Sequence, residues 1–101
     1  MVVRMWHGRV PISKARAYRE FQKKRAIPDY QSVAGNISVH ILERQEGEVA
    51  HFITLTFWEN MDAIKGFAGD DVELAKYYPE DKDFLIEFEP TVVHYNVVGH
   101  S

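Results

Sequence analysis

The chain has 101 residues, too few for two domains, and its 46% hydrophobic and 27% charged content is that of a folded globular protein. It has no cysteine, which excludes disulfides, thiolate metal sites and a cysteine nucleophile. A formal net charge of -3 gives no overall attraction for nucleic acid, and no apolar run approaches the roughly 20 residues of a membrane helix.

Val2 to Val10 mixes β-branched and aromatic residues and predicts a strand that Pro11 ends. Ser13 is placed to cap a helix that starts at Lys14. Tyr18 and Phe21 share its buried face, with Arg25 on the same side one turn on. Pro28 should kink or end that helix, because it has no N–H and crowds the preceding turn. A short turn from Asp29 to Val33 follows, closed by Gly35. Ile37 to Arg44 and Val49 to Trp58 read as two strands around Gly47, an antiparallel hairpin. Asn60 caps a second helix from Met61, with Asp62 favoured in its first turn and Gly69 at its end. A further helical turn or two is expected from Asp71 to Tyr78, stopping at Pro79. A charged connection from Glu80 to Pro90 leads to a last strand, Thr91 to Val98.

The order strand, helix, strand, strand, helix, strand is the βαββαβ, ferredoxin-like pattern. It predicts an α+β fold with one four-stranded antiparallel sheet and both helices on one face. The strands are nevertheless apolar on both faces. Val3 and Met5 oppose Val2 and Trp6; Ile53, Leu55 and Phe57 oppose Phe52 and Trp58; Val93, Tyr95 and Val97 oppose Val92 and Val98. A half-exposed sheet would show polar residues on its outer face. A second copy of the same sheet is the simplest cover, so a homodimer closing face to face is expected.

The strand order, the run Phe52-Ile53-Thr54-Leu55-Thr56-Phe57-Trp58-Glu59-Asn60, the helix carrying Ala63, Ile64 and Phe67, and the closing Val92-Val93-His94-Tyr95-Asn96-Val97-Val98 together resemble the antibiotic biosynthesis monooxygenase family. The resemblance covers nearly the whole chain and implies a dimeric α+β barrel built from one domain, residues 1–101. Its members include oxygenases without cofactors, haem-degrading enzymes and isomerase-like relatives. The haem-degrading branch carries an Asn where this chain is read to have His7, a Trp where it has Phe67 and an axial His where it has Tyr77. The expected activity is therefore cofactor-independent monooxygenation of a small phenolic or quinol-type substrate. The alternative is a non-catalytic binding or structural dimer on the same fold.

His7 is the leading candidate for a general base. The family alignment places it, with Val3 and Met5, on the helix-covered face where relatives have their pocket. The other reading is a buried neutral imidazole bonded to backbone or Tyr. Tyr77 is paired with it as a catalytic candidate. Of Tyr77 and Tyr78, one is expected to turn into the pocket and hydrogen-bond a substrate oxygen. Trp58 and Phe67 pack helix on sheet or form the pocket's apolar wall, and Trp6 should face the dimer interface. His94 is a substrate-binding candidate whose face depends on a register that the sequence leaves open. His51 is expected to be exposed.

No His pair is spaced i, i+4, there is no His-Glu-x-x-His, and no serine sits in a Gly-x-Ser-x-Gly elbow, so no metal, cofactor or nucleophilic serine is expected. From Arg4 to Arg25 there are eight basic residues against Glu20 alone; from Glu59 to Glu89 there are ten acids and three lysines. With no stacking motif among them, the basic residues read as a solvated helix face and not a nucleic-acid surface. The partners expected are a second copy and a small apolar or aromatic ligand. Met1 to His7 lacks the apolar core and cleavage site of a secretion signal, so a cytoplasmic, membrane-free location is expected.

Overall fold

The structure, a computed structural model, describes residues 1–101. Strand β1 runs Val2–Pro11, β2 Asn36–Glu46, β3 Val49–Trp58 and β4 Val93–Asn96. They form one antiparallel sheet in the order β2-β3-β1-β4, the ferredoxin-like order. The β2–β3 hairpin turns at Gly47, whose φ of 59° is a left-handed conformation open to glycine. β4 is half the expected length, because chain before Val93 is held instead by the Leu74–Thr91 bridge and by Val92 N–H donating to the Glu73 carbonyl.

The first helical stretch enters through a 3-10 turn, Ile12–Lys14, and Ser13 makes no cap. It continues as α1, Ala15–Phe21, a π-helical turn, Gln22–Ala26, and α2, Ile27–Gln31. Pro28 does not end it, and the helical stretch runs on to Gln31. The wide turn before Pro28, closed by Ile27 N–H to the Gln22 carbonyl, gives its ring room past the preceding turn. The buried stripe is Ala15, Tyr18, Gln22, Ala26 and Tyr30, while Arg25 is exposed. Arg25 lies 4.8 Å over the Tyr78 ring instead of facing the core.

Helix α3 spans Met61–Ala68. Asn60 caps it as expected, its Oδ1 accepting from Ala63 N–H at 2.8 Å, and Gly69 ends it at a φ of 85°. Residues 71–78 form no helix. The helical turn lies later, at Pro79–Asp83, where the Asp81 carboxylate takes the Tyr78 backbone N–H at 2.7 Å. Proline at the first position suits that start.

All helices lie on one sheet face. On β1 that face is Val2, Arg4, Trp6, Gly8 and Val10; on β3 it is Ala50, Phe52, Thr54, Thr56 and Trp58. The other face, with Val3, Met5, His7 and Arg9 opposite Phe57, Leu55, Ile53 and His51, carries no helix. Two expectations are thereby reversed. His7 is on the open face, and Trp6 is in the helix-covered core. Period two separates the two sets but does not say which set meets the helices when both are apolar. Trp6 settles it by packing in a cluster with Val10, Tyr18, Phe52, Leu85 and Val92.

Candidate functional site

The helix-covered core is in two parts. One is the Trp6 cluster. The other gathers Val2, Ala26, Tyr30, Trp58, Ile64 and Phe67. Between them runs a buried polar belt, because Arg4 lies between Val2 and Trp6 on β1, and Thr54 and Thr56 lie between Phe52 and Trp58 on β3. Gln22 from the π turn and Asp81 from the 3-10 turn complete it.

One half of the belt satisfies itself. Thr54 donates to Gln22 Oε1 at 3.5 Å, Gln22 Nε2 donates to the Tyr18 hydroxyl at 2.6 Å, and that hydroxyl donates to Asp81 Oδ1 at 3.2 Å. Burial raises both the Tyr18 phenol and the Asp81 carboxyl above their ordinary ranges. Nearby, Trp58 Nε1 donates to Thr56 Oγ1 at 2.8 Å.

The other half does not. Arg4 is 1% exposed; its Nη2 donates to the Leu74 carbonyl at 3.2 Å, and the Tyr30 phenol lies near its guanidinium. Nε and Nη1 are buried without a hydrogen-bond partner, and Arg4 joins no ion pair. Burial pulls its pKa down; the phenols of Tyr30 and Tyr78 are the opposing influences. Its guanidinium carbon stands 5.4 Å from the Phe67 ring centre. Directly across the strand pair is His94 on β4, whose Nε2 is also buried without a partner. Burial, then the charge of Arg4, hold its pKa below the usual imidazole value. The register that the sequence left open is thus set: His94, not His7, shares the helix-covered face.

Aromatic rings wall this half. Tyr30 stacks on Phe67 with centres 4.0 Å apart, and Trp58 stands 6.2 Å from Phe67. Burial pushes the Tyr30 phenol up to about 12. Lys76 Nζ lies 4.1 Å from the Phe67 ring centre and 3.3 Å from Asp29 Oδ2, and the Tyr78 hydroxyl donates to the same oxygen at 2.6 Å. Two grooves flank α3. One of about 520 Å³ is bordered by Phe67, Lys76 and Asp29; another of about 380 Å³ is bordered by His94, Met61, Val72 and Glu73.

Tyr77 lies apart from Arg4. It packs edge-on to Trp6 and Phe88, and its hydroxyl donates to the Glu89 carbonyl. Burial, with the charge of Glu89, pushes its phenol up to about 12. His7 is on the opposite face, within a chain of four side chains. His7 Nδ1 is 2.6 Å from Glu89 Oε2, His7 Nε2 is 2.9 Å from His51 Nδ1, and His51 Nε2 is 3.1 Å from Glu46 Oε1. His51 is therefore partly buried and bonded, not exposed. All three contacts are hydrogen bonds at once when the two rings hold three N–H protons, one imidazolium and one neutral imidazole. A shallow pocket of about 280 Å³ beside them is bordered by Leu42 and Ile53.

Of the predicted site residues, Trp58, Phe67, Tyr78 and His94 line or border the helix-side region, Tyr77 sits at its edge, and His7 is outside it. Sequence reasoning missed Arg4 and Tyr30. A signal for Arg4 was present: a charge on the alternate row Val2, Arg4, Trp6, Gly8, Val10, which is otherwise apolar, two positions from a Trp.

No protein-family model matches the chain, and no curated protein matches it. Solved structures do. A candidate antibiotic biosynthesis monooxygenase from Nitrosomonas europaea aligns over 98% of this chain and 100% of its own, with TM-score 0.71 and 15% identity. Another from Bacillus cereus aligns over 99% and 93%, with TM-score 0.65 and 18% identity. The chain has the antibiotic biosynthesis monooxygenase fold. The same monooxygenase fold occurs in a mutant of MhuD with two manganese protoporphyrin IX bound per active site, aligned over 100% and 98% with TM-score 0.64 and 16% identity. One fold thus accommodates different ligands, and side chains must decide among them.

Proposed function

We propose that this chain is a member of the antibiotic biosynthesis monooxygenase family and oxidises a small phenolic or quinol-type compound with dioxygen, without a bound cofactor. The observation that carries the reading is the buried, unpartnered Nε2 of His94 set opposite the Arg4 guanidinium. A neutral imidazole accepts the proton that an activated phenol or ring C–H gives up. A guanidinium next to it stabilises the anion formed. That electron-rich anion passes an electron to dioxygen; a CH2 that becomes C=O takes one oxygen atom, and the other leaves as water. Met61, Val72 and Val92, which border the same groove as His94, supply the apolar side that orients the ring. His7 has no part in this step.

Oxygen uptake tests it. A panel of quinols and anthrone-type phenols is screened with wild-type protein, and the best substrate is then given to His94→Gln. The expected result is a fall in kcat of roughly 100-fold or more, the usual contribution of a positioned base. Unchanged turnover in His94→Gln sinks the assignment.

Tyr77, which stands where the haem-degrading branch carries its axial His, is not suited to hold a porphyrin. The Tyr77 hydroxyl is engaged by the Glu89 carbonyl and its phenol is hard to ionise, which makes it a poor axial ligand. A second reading, a carrier without turnover, draws support from the self-satisfied Thr54, Gln22, Tyr18 and Asp81 half of the belt, which offers no free reacting group. A ligand that co-purifies and stays unchanged in air favours the carrier.

The working unit in this proposal is a dimer of two open faces. Leu42, Val93 and Tyr95 are 45%, 49% and 57% exposed there, beside half-buried Met5, Ile53, Leu55 and Phe57. A contiguous apolar surface of this kind marks an interface. A second copy fits because the dimeric α+β barrel closes by the same sheet. Sedimentation equilibrium is expected to give twice the chain mass of 11.7 kDa; a monomer at 50 μM would refute it.

A further inference from the structure

On the open face of the sheet four side chains form one unbranched line, Glu89, His7, His51 and Glu46, with contacts of 2.6, 2.9 and 3.1 Å. The middle contact sets this line apart. Two imidazoles meet nitrogen to nitrogen, with ring centres 5.2 Å apart and planes tilted by 31°. Such a contact is a bond with one proton between the two nitrogens and a repulsion with two. The outer nitrogen of each ring faces a carboxylate, which favours an N–H there. When both rings are imidazolium, two donors and two positive charges oppose one another across the gap, and the rings must part.

The other charged groups around the pair are committed elsewhere. On β1, Arg9 holds Glu87; on β2, Glu43 holds Arg19 and Arg44 holds Glu46. Bonds from His51 and Arg44 keep the Glu46 carboxyl below its usual range. His40 lies on the same face farther along β2, against the Phe57 ring and 3.2 Å from Ser38 Oγ. Between about pH 7.5 and pH 5.5 protons go to imidazoles and not to carboxylates.

His7 and His51 share a pocket with Leu42 and Ile53, two apolar residues of the face that the dimer reading gives to a second copy. In the single chain the two imidazole side chains keep 32% and 17% of their exposure, enough to part into water. A second copy laid on this face removes that water. With one shared proton the line is bonded throughout, and a satisfied polar network is compatible with burial. With two, a pair of facing cations is shut into a dry interface, where their repulsion is strongest. The second proton therefore binds the single chain more readily than the dimer, and by linkage its binding separates the copies.

We propose that the His7–His51 pair is a proton-operated clasp, which lets the two open faces close near neutral pH and releases them in mild acid. The inference rests on the dimer reading and is independent of the oxygenase one, in which neither histidine takes part.

The test is the dimer dissociation constant of the full chain, measured by sedimentation at pH 7.5 and pH 5.5 at one ionic strength. One linked proton changes an equilibrium about tenfold per pH unit, so the wild-type dimer is expected to weaken by about tenfold or more. In His51→Gln the amide donates or accepts across the same gap and takes up no proton, and the change should stay under about threefold. His7→Gln removes the pair from the other side and gives the same result if the first variant does not fold. In 15N-labelled wild type, a scalar coupling through the N–H···N bond between His7 Nε2 and His51 Nδ1 is expected at pH 7.5 and lost at pH 5.5. A dimer equally tight at both pH values overturns the clasp and leaves the dimer standing. So does full acid weakening in both variants, which would place the effect at His40, or a coupling that persists at pH 5.5. A chain that is monomeric at both pH values overturns the dimer reading and the clasp together.

Discussion

On its helix side β1 presents Val2, Arg4, Trp6, Gly8 and Val10; on its open side it presents Val3, Met5, His7 and Arg9. Each side has one cation in an apolar row, and their treatment differs. Arg9 on the open side is paired with Glu87. Arg4 on the helix side is buried and left short of partners. The two histidines differ in the same sense. His7 is bonded at both ring nitrogens by Glu89 and His51, whereas His94 keeps a bare Nε2. A polar group whose bonds are all made has little left to give a ligand, while an orphaned one in a dry core has most to gain. The lesson is that unsatisfied bonds, more than residue type, mark a site.

The comparison can be broken most forcefully at Trp58, which is fully buried under α3. Trp58→Ala is expected to cost about 3–5 kcal/mol in urea unfolding. A cost under about 1 kcal/mol would mean that the helix side is not the core. On the open face the expected damage is to association. Leu55→Glu puts an unpaired charge into the apolar middle of that face, and sedimentation should show a folded monomer with the dimer weakened by about 100-fold or more, corresponding to about 3 kcal/mol. An unaltered dimer would show that the copies meet elsewhere. Gly8→Ala probes how tightly Trp6 is seated, since a Cβ there would stand 2.5 Å from the indole Cη2. Overpacking of about 1–3 kcal/mol is expected, read as a lower melting temperature.

The smallest effect is a pH dependence. His94 has a folded pKa below its unfolded value of about 6.5, so the unfolded chain binds more protons between the two. The stability that neutral His94 contributes is present above about pH 6.5 and is lost as pH falls through the folded pKa. Asp81, raised in the fold, acts in the opposite sense: its contribution is present below its unfolded pKa of about 3.9 and is lost as pH rises through its higher folded pKa. Denaturant midpoints measured from pH 7 to pH 5 should fall less for His94→Gln than for wild type. Parallel slopes would show that His94 titrates as it does in water.

The sequence by itself determined the element order, the four-stranded antiparallel sheet and its doubled apolar pattern, because hydrophobic period, β-branching, Gly47 and the Asn60 cap are local properties. It also named His7, Tyr77, Trp58, Phe67, Tyr78 and His94 as candidates, residues whose chemistry is visible in one dimension, but it misplaced His7 and left the face of His94 open. Which face of β1 the helices cover was a tertiary decision. It turned on where Trp6, Tyr18 and Phe52 pack together, contacts between residues up to 46 positions apart. The passage of the first helix through Pro28 was likewise tertiary, since a π turn keeps Tyr18, Gln22, Ala26 and Tyr30 on the sheet where a break would lose them. Arg4 shows the division most sharply. Its charge is written in the sequence, but its want of a partner exists only once β4, α3 and the segment through Leu74 have closed around it and shut out water.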